Sequence, residues 1–229
     1  MNILDTECEN SELLTTAFTH PSYTRENGIS YLQSYERLEF LGDAVLKLLM
    51  SKLLYDKYPD YKEGDLTKIR SILVSDGTLA IIGERIGISE RLILGAGEEN
   101  SGGRTLESNI ACATEAVLGA YYLDGKQDKI EEFLASELLP ISDEIDKHYE
   151  KYNAKAVLQE YSQKKLKQIP QYGTVDVKGP KHDPEFTVQV SLENKVLARA
   201  AGKTKKEAQQ NCAYLACEKL GLIKEDKER

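Results

Sequence analysis

Cysteine and histidine are scarce in this 229-residue sequence, and no apolar run is long. The four cysteines form no Cys-x-x-Cys pair and the three histidines lie far apart, so we expect free thiols in a reducing compartment and no structural zinc site. No stretch approaches the roughly 20 apolar residues that a membrane-spanning helix requires, and the acidic start does not look like a secretory signal. These absences predict a cytoplasmic protein with no membrane partner. The residues concerned are Cys8, Cys112, Cys212 and Cys217, with His20, His148 and His182.

Acidic and basic residues are unevenly divided between two parts of the chain. The formal net charge is −8, but residues 153–229 hold 15 Lys and Arg against 10 Asp and Glu, a net charge of +5. Residues 1–152 hold the other 15 Lys and Arg and 28 Asp and Glu, a net charge of −13. Such asymmetry is typical of modules with separate tasks. We therefore expect an acidic module that collects metal ions and a basic module that binds a polyanion.

The spacing of apolar residues changes from a helical to a mixed pattern near residue 154. The predicted helices are Leu13–Thr19, Tyr31–Tyr58, Leu66–Val74, Asp76–Ile86, Leu106–Leu123, a helix from Asp128 to Leu138, Ala154–Gln163 and a closing helix capped by Thr204. The predicted strands are Gln171–Val177, Glu185–Leu192 and Lys195–Ala201. The sequence thus predicts an all-α domain over residues 1–147, a linker at 148–152, an α-β-β-β-α domain over 153–222 and a charged tail at 223–229.

The segment Glu36–Leu46 combines an apolar face with an acidic face on one predicted helix. At about 100° per residue, Leu38, Leu41, Val45 and Leu48 share one face, and Glu36, Glu39 and Asp43 gather on the opposite face. Neighbouring carboxylates repel each other, so two interpretations remain open. Either the acids form a solvated face, or a hard divalent cation such as Mg²⁺ offsets their repulsion.

Phe40 lies beside these acids and away from the apolar face. A large aromatic side chain at such a position requires a cover, which is either a second core contact within the domain or a subunit interface next to the acidic face. A second helix, Leu106–Leu123, carries small residues on the face that contains Glu115. Because small residues permit close helix approach, we expect Glu115 to meet Glu39 and Asp43.

Five motifs in their order along the chain resemble those of the ribonuclease III family. The motif over residues 36–46, Glu-Arg-Leu-Glu-Phe-Leu-Gly-Asp-Ala-Val-Leu, is similar to the family signature, and the others are residues 17–23, 63–66, 101–103 and 115–124. Residues 153–222 resemble the double-stranded-RNA-binding domain that follows in bacterial members. The resemblance implies a dimeric all-α endonuclease domain with a tethered RNA-binding domain.

The resemblance also implies a reaction and a set of site residues. The family hydrolyses phosphodiesters of double-stranded RNA with Mg²⁺, leaves 5′-phosphate and 3′-hydroxyl ends, and processes structured RNA precursors. Its metal-binding carboxylates correspond to Glu39, Asp43 and Glu115, and its further cleft acids to Glu36 and Glu63. Phe40 would lie in the homodimer contact.

One position departs from the family pattern. The family has an Asp three residues before the equivalent of Glu115, and this sequence has Cys112 there. A thiol is a poor ligand for Mg²⁺ and is largely neutral near pH 7. Three outcomes stay open: an active enzyme with three carboxylates and a water in the missing ligand's place, with a preference for Mn²⁺; a double-stranded-RNA-binding dimer with weak or no catalysis; or a redox-active or metal-selective Cys112.

The basic module offers three groups of RNA-binding candidates that match the family contact regions. They are Gln159 and Glu160 on its first helix, Lys181 and His182 in the turn between its first two strands, and Lys203, Lys205 and Lys206 at the start of its last helix. The lysines lie where the helix dipole favours phosphate. In the first module, Arg104 ends a glycine-rich loop and could meet a phosphate, whereas His20 is expected to cap or pack rather than to catalyse.

Overall fold

The computed structural model describes residues 2–5, 8–179, 184–193 and 195–223. The chain forms two compact units, one ending at Asp146 and one beginning at Lys147. The described part of the first unit consists of helices joined by turns, with one isolated β-bridge between Thr19 and Ile93. The second unit contains three strands between two helices. The predicted fold class is therefore confirmed.

The helices and strands are numbered in chain order. The helices are α1 (Ser11–Phe18), α2 (Pro21–Glu26), α3 (Glu36–Lys57), α4 (Glu63–Leu73), α5 (Asp76–Ile86), α6 (Ile88–Arg91), α7 (Ala96–Asn100), α8 (Glu107–Leu123), α9 (Gln127–Glu137), α10 (Ser142–Tyr152), α11 (Ala154–Leu166) and α12 (Lys205–Lys219). The strands are β1 (Gln171–Lys178), β2 (Glu185–Leu192) and β3 (Lys195–Gly202). Short 3₁₀ turns occupy Ile3–Asp5, Tyr31–Gln33, Gly103–Thr105 and Leu139–Ile141.

Helix α3 runs through the core of the first unit. Leu38 and Val45 are buried as the apolar face predicts, and Leu46 and Leu49 are buried with them. The placement of Leu48 in the core is wrong, because its side chain is 65% exposed. The buried face follows residues 38, 42, 45 and 49, at the i, i+4, i+7 and i+11 spacing of a helix, and residue 48 lies about 100° away from residue 49.

Two glycines allow α3 and α8 to cross with their backbones in contact. A Cβ atom added to Gly42 would lie 1.7 Å from the carbonyl oxygen of Glu115, and one added to Gly119 would lie 2.3 Å from that of Leu38. No side chain fits at either position, since real Cβ contacts are essentially never shorter than 3.0 Å. The crossing therefore confirms that the small-residue face of α8 permits close approach, and it carries Glu115 to α3.

The second unit is an antiparallel sheet covered on one face by two helices. The strand order is β1-β2-β3, with Gly173 opposite Gln189 and Gln189 opposite Arg199. Val188 and Val190 of β2 point into a core that includes Leu158 of α11 and Cys212 of α12. Cys212 is fully buried, so the prediction that it fills core space is confirmed.

The segment predicted as a linker, residues 148–152, lies within α10. The first turn of α10 is bound to the end of α3 and to the segment after it: the hydroxyl of Tyr58 donates to Asp143 at 2.7 Å, and that of Tyr61 donates to Asp146 at 2.6 Å. The rings of the two tyrosines stack with centroids 4.7 Å apart. No helix in the described part of the chain has the length and apolar composition to cross a membrane.

Candidate active site

The crossing of α3 and α8 brings the predicted carboxylates of both helices into one acidic region. Glu39 and Asp43 lie one turn apart on α3, and Glu115 lies on α8 at the point where the backbone touches Gly42. Burial, followed by the negative charges of Asp43 and Glu39, raises the pKa of Glu115 to about 8. The carboxylates of Asp43 and Glu39 are therefore close enough to Glu115 to disfavour its ionised form.

The side chains of this region are partly occupied by other contacts. Lys47 donates to Asp43 at 2.7 Å, and Glu39 is hydrogen-bonded to the thiol of Cys112. As they stand, no three His, Cys, Asp or Glu side chains among the described residues converge closely enough to hold a metal ion. Carboxylate oxygens are nevertheless the ligands that Mg²⁺ and Mn²⁺ prefer. A divalent ion would offset the repulsion that the charges of Asp43 and Glu39 exert on the ionised form of Glu115, which raises its pKa after burial. The chemistry of the three carboxylates therefore fits such an ion.

Cys112 is held as a neutral thiol. Burial, then the charge of Glu39 and a hydrogen bond to it, raises the pKa of Cys112 to about 12. At neutral pH the thiol therefore keeps its proton and donates a hydrogen bond to the Glu39 carboxylate. Because the thiolate is the form that binds metals and reacts with oxidants, the surroundings of Cys112 do not favour a redox or metal-selecting role.

Sequence reasoning missed a fourth acid beside these residues. Asp76 is the first residue of α5, and its negative charge contributes to the raised pKa of Glu39, Cys112 and Glu115. An acid in the first turn of a helix after a capping serine, Ser75, is typical of helix starts. The sequence signal therefore indicated only a helix boundary, and the packing of α5 on α8 was needed to place Asp76 here.

The two further cleft acids lie in different surroundings. One carboxylate oxygen of Glu36, Oε2, is buried without a hydrogen-bond partner, and Glu36 lines a cavity of about 650 Å³ with Phe40 and Leu123. Glu63 is exposed at the start of α4, accepts a hydrogen bond from Thr67 at 3.1 Å, and lines a separate cavity of about 370 Å³. The structure thus brings Glu36 close to Glu39, whose pKa it helps to raise, and leaves Glu63 apart from that cluster.

Phe40 is 82% exposed, so the interpretation that it makes a second core contact within the domain is wrong. Tyr31, Leu32 and Leu123, which line the same cavity, are also more than half exposed. These four side chains form an exposed apolar patch on the first unit, next to the acidic region.

Two other residues of the first unit have structural roles. His20 caps α2, since its Nδ1 accepts from the Ser22 backbone at 3.0 Å, which confirms the predicted capping role. The prediction that Arg104 is available to a phosphate is wrong. Its guanidinium donates to Glu99 at 2.8 Å and to the Ser89 carbonyl at 2.7 Å, so it closes the glycine-rich loop.

Most RNA-binding candidates of the second unit are exposed. Gln159 and Glu160 lie on α11, where Glu160 pairs with Lys164, and Lys203, Lys205 and Lys206 lie at the start of α12. Lys205 stands over the ring of Phe186 at 5.8 Å, and Lys206 helps to lower the pKa of Lys155, whose burial is the larger cause. Lys181 and His182 lie outside the described residues.

Two family models match the two units. The model described as ribonuclease-III-like matches residues 10–141, and the double-stranded RNA binding motif matches residues 154–220. The chain belongs to the ribonuclease III family. It is therefore an endoribonuclease of double-stranded RNA with a function in RNA processing.

Individual relatives match over most of their length. The chain is 40% identical to ribonuclease 3 of Bacillus licheniformis over 95% of this chain and 87% of the relative, and 40% identical to that of Listeria monocytogenes over 93% and 92%. Among solved structures, the nuclease domain of ribonuclease III from Campylobacter jejuni is 36% identical with a TM-score of 0.53, covering 59% of this chain and 90% of that domain. Both modules and their order are shared with this family.

Proposed function

We propose that this chain hydrolyses phosphodiesters of double-stranded RNA with divalent ions held by Glu39, Asp43 and Glu115, and leaves 5′-phosphate and 3′-hydroxyl ends. The carrying observation is the arrangement of Glu39, Asp43 and Glu115 at the crossing of α3 and α8, where burial and then the charges of Asp43 and Glu39 raise the pKa of Glu115 to about 8. Bound Mg²⁺ or Mn²⁺ would supply a hydroxide nucleophile at neutral pH and stabilise the charge on the leaving oxygen. In this proposal Glu115 is ionised when the divalent ion is bound. The ion pair between Asp43 and Lys47 breaks, so that the Asp43 carboxylate can bind the ion.

Cys112 has a positioning role in this proposal. As a neutral donor it holds the Glu39 carboxylate and adds no charge to the cluster, so a water would fill the place of the missing carboxylate. One negative charge fewer weakens the attraction for a hard cation. We infer that the chain requires more Mg²⁺ than a form with Asp at position 112, and that Mn²⁺ supports it better.

The enzyme is proposed to act as a homodimer in the bacterial cytoplasm. The exposed side chain of Phe40 would enter the cavity lined by Glu36, Leu32 and Leu123 of a second copy. A dimer-forming region is also described for the nuclease domain of the Campylobacter jejuni protein. Burial of four exposed apolar side chains from each copy supports a stable contact.

The second unit is proposed to bind the RNA duplex through its backbone and 2′-hydroxyl groups. The amide and carboxylate of Gln159 and Glu160 suit 2′-hydroxyls, and Lys203, Lys205 and Lys206 suit phosphates near the start of α12. Lys181 and His182 complete this set by their match to the family contact regions. Such a surface recognises duplex shape rather than sequence.

A cleavage assay on long double-stranded RNA tests this function. The unmodified chain, Cys112→Asp and Glu115→Gln are compared across Mg²⁺ and Mn²⁺ concentrations. We expect cleavage by the unmodified chain, a shift of the Mg²⁺ dependence of Cys112→Asp to lower concentration, and a loss of at least about 100-fold for Glu115→Gln, about the cost of a lost transition-state contact. If only Cys112→Asp cuts while the unmodified chain binds RNA, the chain is an RNA-binding dimer with a silenced site.

A further inference from the structure

A separate cavity lies in the first unit, apart from the acidic cluster. Its volume is about 370 Å³, within the range of about 300–1,000 Å³ typical of ligand pockets. It is formed between α3 and α4 and the turn that joins them. The side chains that matter for its chemistry are Ser51, Tyr55, Tyr61, Glu63, Thr67 and Arg70.

Arg70 provides this cavity with a positive charge that has no carboxylate partner among the described residues. Its guanidinium is partly buried and donates one hydrogen bond, to Ser51 Oγ at 2.6 Å. A guanidinium has five N–H donors, so most of its donors have no described protein acceptor. A group of this kind binds phosphate oxygens with two parallel hydrogen bonds.

The lining of the cavity also includes an acceptor and two aromatic rings. Glu63 Oε1 accepts from the Thr67 hydroxyl at 3.1 Å, which orients the carboxylate and leaves its other oxygen able to accept from a ligand hydroxyl. Tyr61 is fixed through its hydroxyl bond to Asp146, and Tyr55 is 71% exposed at the edge of the cavity.

The cavity and the acidic cluster both include residues of α3. Asp43, Lys47 and Ser51 follow one another at intervals of four residues, each turned by about 40° from the one before, so Ser51 lies about 80° around the helix from Asp43. Ser51 is eight residues beyond Asp43, which is about 12 Å along the helix axis. A strand whose phosphate is at Asp43 would need only a short continuation to reach Arg70.

We propose that this cavity is a subsite for one ribonucleotide of the RNA strand, outside the phosphate that is cut. Arg70 binds the phosphate of that nucleotide, and Glu63 accepts from its 2′-hydroxyl. A carboxylate beside the anion is unfavourable for phosphate alone, but it suits a ribose hydroxyl and so selects RNA over DNA. This subsite rests on the proposed function, since it takes part of the same substrate.

The test measures the affinity of the full chain for duplex RNA without metal, as a function of salt. We expect Arg70→Gln to weaken binding by about tenfold, the loss typical of a charge-assisted hydrogen bond, and to lower the slope of log affinity against log salt by about one. Ser51→Ala is the matched control, because it removes the hydrogen bond to Arg70 but keeps the guanidinium. Tyr55→Ala, which truncates an exposed side chain at the edge of the cavity, is a second control and should bind duplex RNA like the unmodified chain.

The subsite is overturned if Ser51→Ala reproduces the loss seen in Arg70→Gln, since Arg70 would then merely attach α4 to α3. It is also overturned if Arg70→Gln binds RNA like the unmodified chain. If the unmodified chain binds no duplex RNA at all, the proposed function fails instead. In that case, titration with adenosine 5′-monophosphate and with inorganic phosphate decides whether the cavity binds a free nucleotide. If neither compound binds the unmodified chain more tightly than it binds Arg70→Gln, the subsite is overturned as well.

A second arm locates the ribose contact in the RNA itself. Duplexes that carry one 2′-deoxynucleotide at successive positions are compared for binding to the unmodified chain and to Glu63→Ala. We expect one position outside the cut phosphate to weaken binding of the unmodified chain, and this sensitivity to disappear in Glu63→Ala. Equal sensitivity of both proteins at every position would contradict the proposed role of Glu63.

Discussion

Cys112 determines how much negative charge the acidic cluster carries. An aspartate there would add a charge next to Glu39 and Glu115, whereas the neutral thiol donates a hydrogen bond to Glu39. The sequence revealed the substitution but not its consequence, because the pKa of a thiol depends on burial and on neighbours from other helices. The structure identifies those neighbours as Glu39, Glu115 and Asp76.

Glu115 makes the stability of the metal-free protein depend on pH. Its pKa is raised from 4.5 to about 8 in the folded chain, so the folded state binds a proton more tightly than the unfolded state. The free energy of unfolding should therefore fall as pH rises from about 4.5 to about 8. In EDTA, we expect Glu115→Gln to show a smaller decrease in melting temperature over this range than the unmodified chain.

Addition of Mg²⁺ at pH 8 supplies the control for this effect. Binding to the ionised carboxylates should raise the melting temperature of the unmodified chain and leave that of Glu115→Gln nearly unchanged. Parallel pH profiles for the two proteins in EDTA would contradict the raised pKa of Glu115.

At the scale of elements, helix periodicity predicted the bounds of α5 and, within one residue, those of α8. It began α3 at Tyr31, five residues early, because it merged the 3₁₀ turn Tyr31–Gln33 with the helix that begins at Glu36. It failed at Leu48, where an apolar residue one position from the true face was assigned to the core. Helix periodicity also did not show that Glu36 and Glu63 line different cavities, because only tertiary packing determines which cavity each carboxylate lines. Asp76 was missed for the same reason, because an acid in the first turn of a helix is already explained by its favourable interaction with the helix dipole.

The contact of α3 with α8 should tolerate no side chain at Gly42. Gly42→Ala would place a methyl group 1.7 Å from the Glu115 carbonyl oxygen, so the helices must separate. We expect a loss of about 1–3 kcal/mol or more in the free energy of unfolding, together with loss of metal-dependent cleavage. Chemical denaturation and the RNA cleavage assay measure the two effects.

Gly64→Ala is the matched control for this substitution. Gly64 lies in the first turn of α4, and a Cβ atom added there meets nothing within 4 Å. Its replacement should leave stability unchanged or raise it slightly, as alanine usually does in a helix. A Gly42→Ala protein as stable and active as Gly64→Ala would show that the crossing is not a fixed contact.

At the scale of the whole molecule, the exposed patch around Phe40 predicts the oligomeric state. Phe40→Ala truncates the most exposed side chain of this patch, and we expect the protein to change from dimer to monomer at micromolar concentration. Light scattering gives the mass directly. Ile81→Ala, which truncates a 72% exposed residue of α5 outside the cavity, should remain a dimer; equal masses for both variants would contradict the proposed contact.

The contact at Gly42 and Gly119 also bears on how this enzyme can evolve. Because the main chain fixes the distance between α3 and α8, the position of the site does not depend on any one acidic side chain. An acid can therefore be exchanged for a thiol, as at Cys112, without loss of the scaffold that holds the others. Selection can then adjust the metal requirement by substitutions at single positions, whereas a lineage that lost either glycine would have to rebuild the whole site.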